Sequence, residues 1–69
     1  MFLDSAADVI DALGGVHATA ELTDTNYKAA HAWKQRGRFP TKTYLVITEA
    51  LRLKGLQARA DLWKMVRAK

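Results

Sequence analysis

Val16-His17-Ala18-Thr19-Ala20-Glu21-Leu22-Thr23-Asp24-Thr25-Asn26-Tyr27-Lys28-Ala29-Ala30-His31-Ala32-Trp33 decides the fold, because two segments with helical apolar spacing flank a three-residue polar break. The first segment predicts a short helix from Val16 to Leu22, with Val16, Ala20 and Leu22 inward. Thr23-Asp24-Thr25 interrupts it. Asn26 then suits the N-cap of a second helix ending near Arg36 or Gly37, because its side-chain oxygen accepts an orphan N–H of the first turn. Where two short helices cross on a tight turn, small residues allow close approach and an apolar anchor ties the second helix to the core. Ala20, Ala30 and Trp33 stand at those places. On a wheel of about 100° per residue, Asn26, Ala30, Trp33 and Gly37 share one side, with Ala29 at its flank. Lys28, His31, Ala32 and Gln35 take the opposite side, with Tyr27 and Lys34 on one shoulder and Arg36 on the other.

Helical spacing continues on both sides. Ser5 followed by Asp8 is a weak capping-box variant opening a helix to Leu13, with Phe2 or Leu3 as a staple and Ala6, Val9, Ile10 and Leu13 inward. Asp4, Asp8 and Asp11 form its opposite stripe; without His partners they read as a wet, dipole-favoured face rather than a metal cluster. Gly14-Gly15 ends this helix, and with no preceding strand and no following Gly-Lys-Ser/Thr it is a turn, not a phosphate loop. Beyond Gly37 and Phe39-Pro40, a helix is expected from Thr41 to Lys54, with Tyr44, Ile47, Ala50, Leu51 and either Leu45 or Val46 inward. Gly55 stops it, and a last helix is expected from Arg59 to Arg67, presenting Leu62, Trp63 and Val66 with Met65 nearby. The fold expected is all-α, a compact bundle of about five short helices in one domain over residues 1–69.

Charge is divided unequally along the 69 residues. Residues 1–25 carry five acids and no Lys or Arg, whereas residues 26–69 carry eleven bases against Glu49 and Asp61, so −5 and +9 underlie the net +4. Lys28, Lys34, Arg36, Arg38 and Lys42 fall in a stretch without an acid. A merely solvated helix more often mixes Glu with Lys, and this asymmetry favours oriented approach to a polyanion. The absence of Cys excludes disulfides and thiolate metal sites. No apolar run approaches the roughly 18 to 20 residues of a membrane span, and Met1-Phe2-Leu3 reaches Asp4 without a basic, then apolar, leader pattern. A cytoplasmic protein without membrane contact is expected. Catalysis is not, since Ser5 is the one serine and suits a cap, and His17 and His31 lack an orienting acid at a readable spacing. Their fourteen-residue separation does not suit a zinc pair either, so neither a cofactor nor a small-molecule ligand is expected.

Over about residues 9 to 56 the chain resembles the Cro/repressor-type helix-turn-helix proteins of phages and bacteria, a lambda-repressor-like fold. The matching elements are Gly14-Gly15, Ala20-Glu21-Leu22-Thr23, Trp33 and Arg38-Phe39-Pro40. The chain departs from the family pattern at Asp24, where glycine is usual, at Thr25, where an apolar residue is common, and at Asn26, which replaces a common Ser cap. The resemblance implies a Cro-like transcriptional repressor on double-stranded DNA, with helix 26–36 in the major groove. It implies base contacts from Tyr27, Lys28, His31, Ala32 and Gln35. The chemistry agrees: Lys28 suits guanine O6/N7, Gln35 suits adenine, and Tyr27 suits a phosphate or a thymine methyl. Alternatives stay open, with Tyr27 as a half-buried shoulder residue and His31 as an idle surface imidazole.

Phosphate contacts are expected from His17, Thr19, Asn26, Lys34, Arg36, Arg38, Thr41 and Lys42, which would set register without reading sequence. Phe39 is expected to be a staple beside Pro40 rather than a platform for an unpaired base. Leu62, Trp63 and Val66 are expected at a homodimer interface, with packing onto the fourth helix as the alternative. A second function class also fits the residues, a protein-binding adaptor or antiactivator that presents its basic face to an acidic partner or its Trp63 surface to a helix. Selectivity among duplexes discriminates the two.

Overall fold

The computed structural model describes residues 2–63. Short apolar faces on a chain of this length must converge on one core, and they do so through four α-helices and very little strand. The elements are β1 (Phe2–Leu3), α1 (Ala6–Leu13), α2 (Val16–Leu22), α3 (Tyr27–Arg36), α4 (Tyr44–Leu53) and β2 (Gln57–Ala58). Single 3₁₀ turns cover Thr41–Thr43 and Ala60–Trp63. The Cα radius of gyration of 11.0 Å equals the roughly 11 Å of a compact chain of this size.

Helices α1 and α3 begin at a side-chain cap and end at a left-handed glycine. The Ser5 hydroxyl accepts from the Asp8 N–H at 3.1 Å, and Asn26 Oδ1 accepts from the Ala29 N–H at 2.8 Å. Gly14 terminates α1 with φ +108° and returns its N–H to Asp11 O at 3.1 Å. A Cβ added at Gly14 would stand 3.2 Å from the Ala18 Cβ, tighter than an ordinary contact, so the close α1–α2 approach also favours a residue without one.

The turn between α2 and α3 is stitched by hydroxyls. Thr23 Oγ1 donates to Thr19 O at 2.8 Å and pairs with Thr25 Oγ1 at 2.9 Å, while the Thr25 N–H reaches Ala20 O at 2.9 Å. Asp24 takes φ +58°, the one positive φ at a non-glycine among the described residues. The left-handed region crowds Cβ against the following carbonyl. Asp24→Gly is therefore expected to stabilise the fold by about 0.5–1 kcal/mol, read as a higher urea midpoint at unchanged slope; a lower midpoint would mean that the Asp24 side chain makes a compensating contact.

Val9, Ile10, Ala30, Ile47, Leu51 and Trp63 are all essentially inaccessible and form the centre of the core. Four rings occupy one corner of it. Phe39 meets Trp33 edge-on at 5.9 Å and stacks on Trp63 at 5.1 Å, and Tyr44 meets Trp63 edge-on at 5.2 Å. The buried indole N–H of Trp63 donates to Thr43 Oγ1 at 3.0 Å, so the ring has no polar atom left unpaired.

Several sequence expectations are corrected here. Leu22 is exposed, because Thr19 and Ala20 form the buried face of α2 and position 22 lies about 200° round the helix from position 20. Leu45 and Val46 are exposed, since Ile47 and Leu51 suffice to fill the inward side of α4. The stretch expected as a helix from Arg59 instead forms a 3₁₀ turn at Ala60–Trp63; the rest of that expected helix, with Met65, Val66 and Arg67, lies outside the described residues. Long-range backbone bonds explain the change: the Arg59 N–H donates to Leu3 O at 3.3 Å and the Phe39 N–H to Leu62 O at 2.7 Å. The parallel pairing of Phe2 with Gln57 and Leu3 with Ala58 is also absent from the sequence reading. Two-residue strands have too little periodicity to announce themselves.

Candidate nucleic-acid interface

Helix α3 is held at three points, and its outer side follows from them. Ala30 and Trp33 are buried, Asn26 caps the start, and Gly37 closes the end with φ +79°. With those positions inward, Lys28 and Gln35 are exposed on the far side, with His31 and Ala32 partly exposed between them. Lys34 and Arg36 lie in the last turn, where positive charge also suits the helix dipole. The helical spacing thus brings Lys28, His31, Ala32 and Gln35 onto one face as expected.

An aromatic ladder joins the two helices in front of that face. The His17 ring, at the start of α2, lies 4.5 Å from the Tyr27 ring, which in turn stacks on His31 at 5.8 Å with a 22° interplanar angle. Tyr27 is 46% exposed and has both imidazoles as ring neighbours. Sequence reasoning missed this: His17 and Tyr27 are ten positions apart on different helices, and no local spacing reports their contact. His17, expected only as a phosphate contact, also positions Tyr27.

Further cations follow from the last turn of α3 onward. Lys34, Arg36, Arg38, Thr41 and Lys42 are all exposed. Arg36, Arg38 and Thr41 line one open concavity of about 300 Å³, floored by Trp33, Phe39 and Trp63, which places three of the expected phosphate contacts together. Among the described residues the ion pairs are Glu49–Arg52 and Asp61–Arg59, so none of the five cations between residues 28 and 42 is neutralised within that set.

Three expected roles change. Thr19 is fully buried and its hydroxyl donates to Gly15 O at 2.9 Å, so it stitches α2 internally and offers nothing to a phosphate. Asn26 keeps only its amide NH₂ for a ligand, because Oδ1 is used by the cap. Leu62 and Trp63, expected at a subunit interface, are 7% and 0% exposed, because the aromatic corner of their own chain takes them in; Val66 lies outside the described residues. Phe39 is buried, as its staple reading expects.

No helix among the described residues is long and apolar enough to cross a membrane. Comparison with family models, with curated proteins and with solved structures finds no match.

Proposed function

We propose that this chain is a sequence-specific double-stranded DNA-binding transcriptional regulator, a Cro-like repressor in which α2 and α3 act as a helix-turn-helix and α3 enters the major groove. The observation that carries the reading is the acid-free outer face of α3, Lys28, His31 and Gln35, turned outward by the buried Ala30 and Trp33. A helix of about 10–12 Å diameter fits the roughly 12 Å major groove. Lys28 and Gln35 then read base edges, and Tyr27, in ring contact with His17 and His31, donates its hydroxyl to a phosphate or packs on a thymine methyl. Lys34, Arg36, Arg38, Thr41, Lys42 and His17 hold the phosphates on either side and fix the register. The protein acts where bacterial or phage DNA is transcribed, in the cytoplasm.

Selection of bound duplexes from a random pool at physiological salt tests this. The expected outcome is one enriched site, with log K falling against log salt by about 0.9 per phosphate neutralised. A footprint covering two half-sites about 10 bp apart reports a dimer on the duplex, and a single half-site reports a monomer. Equal recovery of every duplex would defeat the regulator reading in favour of an adaptor that presents its basic face to an acidic protein.

A further inference from the structure

The chain has no Cys, so its two histidines are the only side chains that ordinarily change charge between about pH 5 and 8. The fold puts both in one place. His17 comes from the start of α2 and His31 from the middle of α3, and each is in ring contact with Tyr27, at 4.5 and 5.8 Å. His17 is exposed and His31 half-buried. Among the described residues no carboxylate lies within ion-pair distance of either imidazole. The charges around them come from three helices and a turn. Glu21 stands one turn along α2 from His17, and Lys28 and Lys34 stand three residues either side of His31 on α3. Helix α1, packed on both, turns Ala6, Val9 and Ile10 inward and has Asp8 and Asp11 as its exposed charges. Asp24 is the exposed charge of the turn between α2 and α3. A ring face packs against a neutral imidazole and attracts a cation within about 6 Å, so Tyr27 accommodates both protonation states.

We propose that His17 and His31 make DNA binding proton-linked: the chain takes up protons at these two rings as it binds, and holds a duplex more tightly as its surroundings acidify. The proposal rests on the reading that DNA meets the outer face of α3, and deepens it by naming what regulates that face. Charging both rings adds two to the net charge of +4, and both additions fall beside Tyr27, where α2 and α3 meet the duplex. DNA carries one negative charge per about 1.7 Å of its axis, so it favours the charged imidazoles over the neutral ones. Whatever factor protonation adds to the affinity for DNA, bound DNA adds to the affinity for protons. The extra affinity is therefore present at acid pH and lost as the imidazoles discharge. The added contacts are ionic and strengthen every duplex alike, while the choice among duplexes stays with Lys28 and Gln35.

Binding of one enriched duplex and one unrelated duplex by the full chain, at about pH 5.5 and about pH 8 and constant ionic strength, tests the proposal. Wild-type affinity for both is expected to be at least about tenfold higher at the acid end, with the log–log salt slope steeper by about 0.9 for each imidazole charged. His17→Gln and His31→Gln are each expected to remove part of this response, and the double variant all of it. His17→Lys is expected to remove the same part as His17→Gln, but by raising affinity at the alkaline end rather than lowering it at the acid end. A merely structural role for His17 would not split the two substitutions in this way. A flat wild-type profile, a response that survives in the double variant, or a His17→Lys chain that binds no better than wild type at the alkaline end overturns the proposal. Selective binding with a flat profile leaves the regulator reading standing without this one, and equal binding of both duplexes with the profile intact does the reverse. A chain that bound no duplex at either pH would end both.

Discussion

Trp63→Ala is expected to leave the domain largely unfolded at room temperature. Truncating a buried aromatic costs about 3–5 kcal/mol, and the core of a domain this small rarely supplies more than about 3–5 kcal/mol in total. Trp63 is the largest fully buried side chain, and its removal leaves Phe39 and Tyr44 without their ring partner and Thr43 Oγ1 without its donor. Far-UV circular dichroism with urea titration reads the loss. Trp63→Phe keeps the ring stack and gives up the indole hydrogen bond, so it should cost far less. A well-folded Trp63→Ala chain would return the residue to the subunit interface that the sequence suggested. Thr43→Val checks the same corner from the other side. It keeps the volume but orphans the indole N–H, at about 1–3 kcal/mol.

Lys28→Ala is expected to relax the choice among duplexes, narrowing the gap between the best site and its single-base variants by about 1–3 kcal/mol at one position. Gln35→Ala should do the same at a neighbouring position, since both side chains project from the outer face of α3, two turns apart. Lys42→Ala, on the rim beyond the helix, should weaken every duplex alike and lower the salt slope by about 1. Binding curves on an enriched site and its variants, at two salt concentrations, separate the effects. If Lys28→Ala and Lys42→Ala changed affinity in the same uniform manner, α3 would be a phosphate-binding helix and not a reader of bases.

Helix α3 was almost wholly legible in the sequence. Asn26 as the cap, Ala30 and Trp33 inward, Gly37 at the end and Lys28, His31 and Gln35 outward all follow from a 3.6-residue period and from which residue types accept an N–H or tolerate positive φ. The same local rules reached α1 and α2 with their glycine turn. They failed where an apolar side chain had two credible destinations. Leu45 and Leu22 look as inward as Ile47 and Ala20 in sequence, yet the core had room only for the second pair. Thr19 shows the converse, a hydroxyl expected at a phosphate that is buried on its own Gly15 carbonyl.

Periodicity, capping chemistry and charge spacing act over a few residues, so the chain alone determined α1 to α4, the turns between α1, α2 and α3, and the acid-free cationic face of α3, but not the 3₁₀ turn at Ala60–Trp63. Contacts between positions far apart depend on which surfaces compete for the same volume, and that only the assembled chain decides. Trp63 went to the core, His17 came against Tyr27, and Phe2-Leu3 paired with Gln57-Ala58, contacts between positions too far apart in the chain for any local spacing to record.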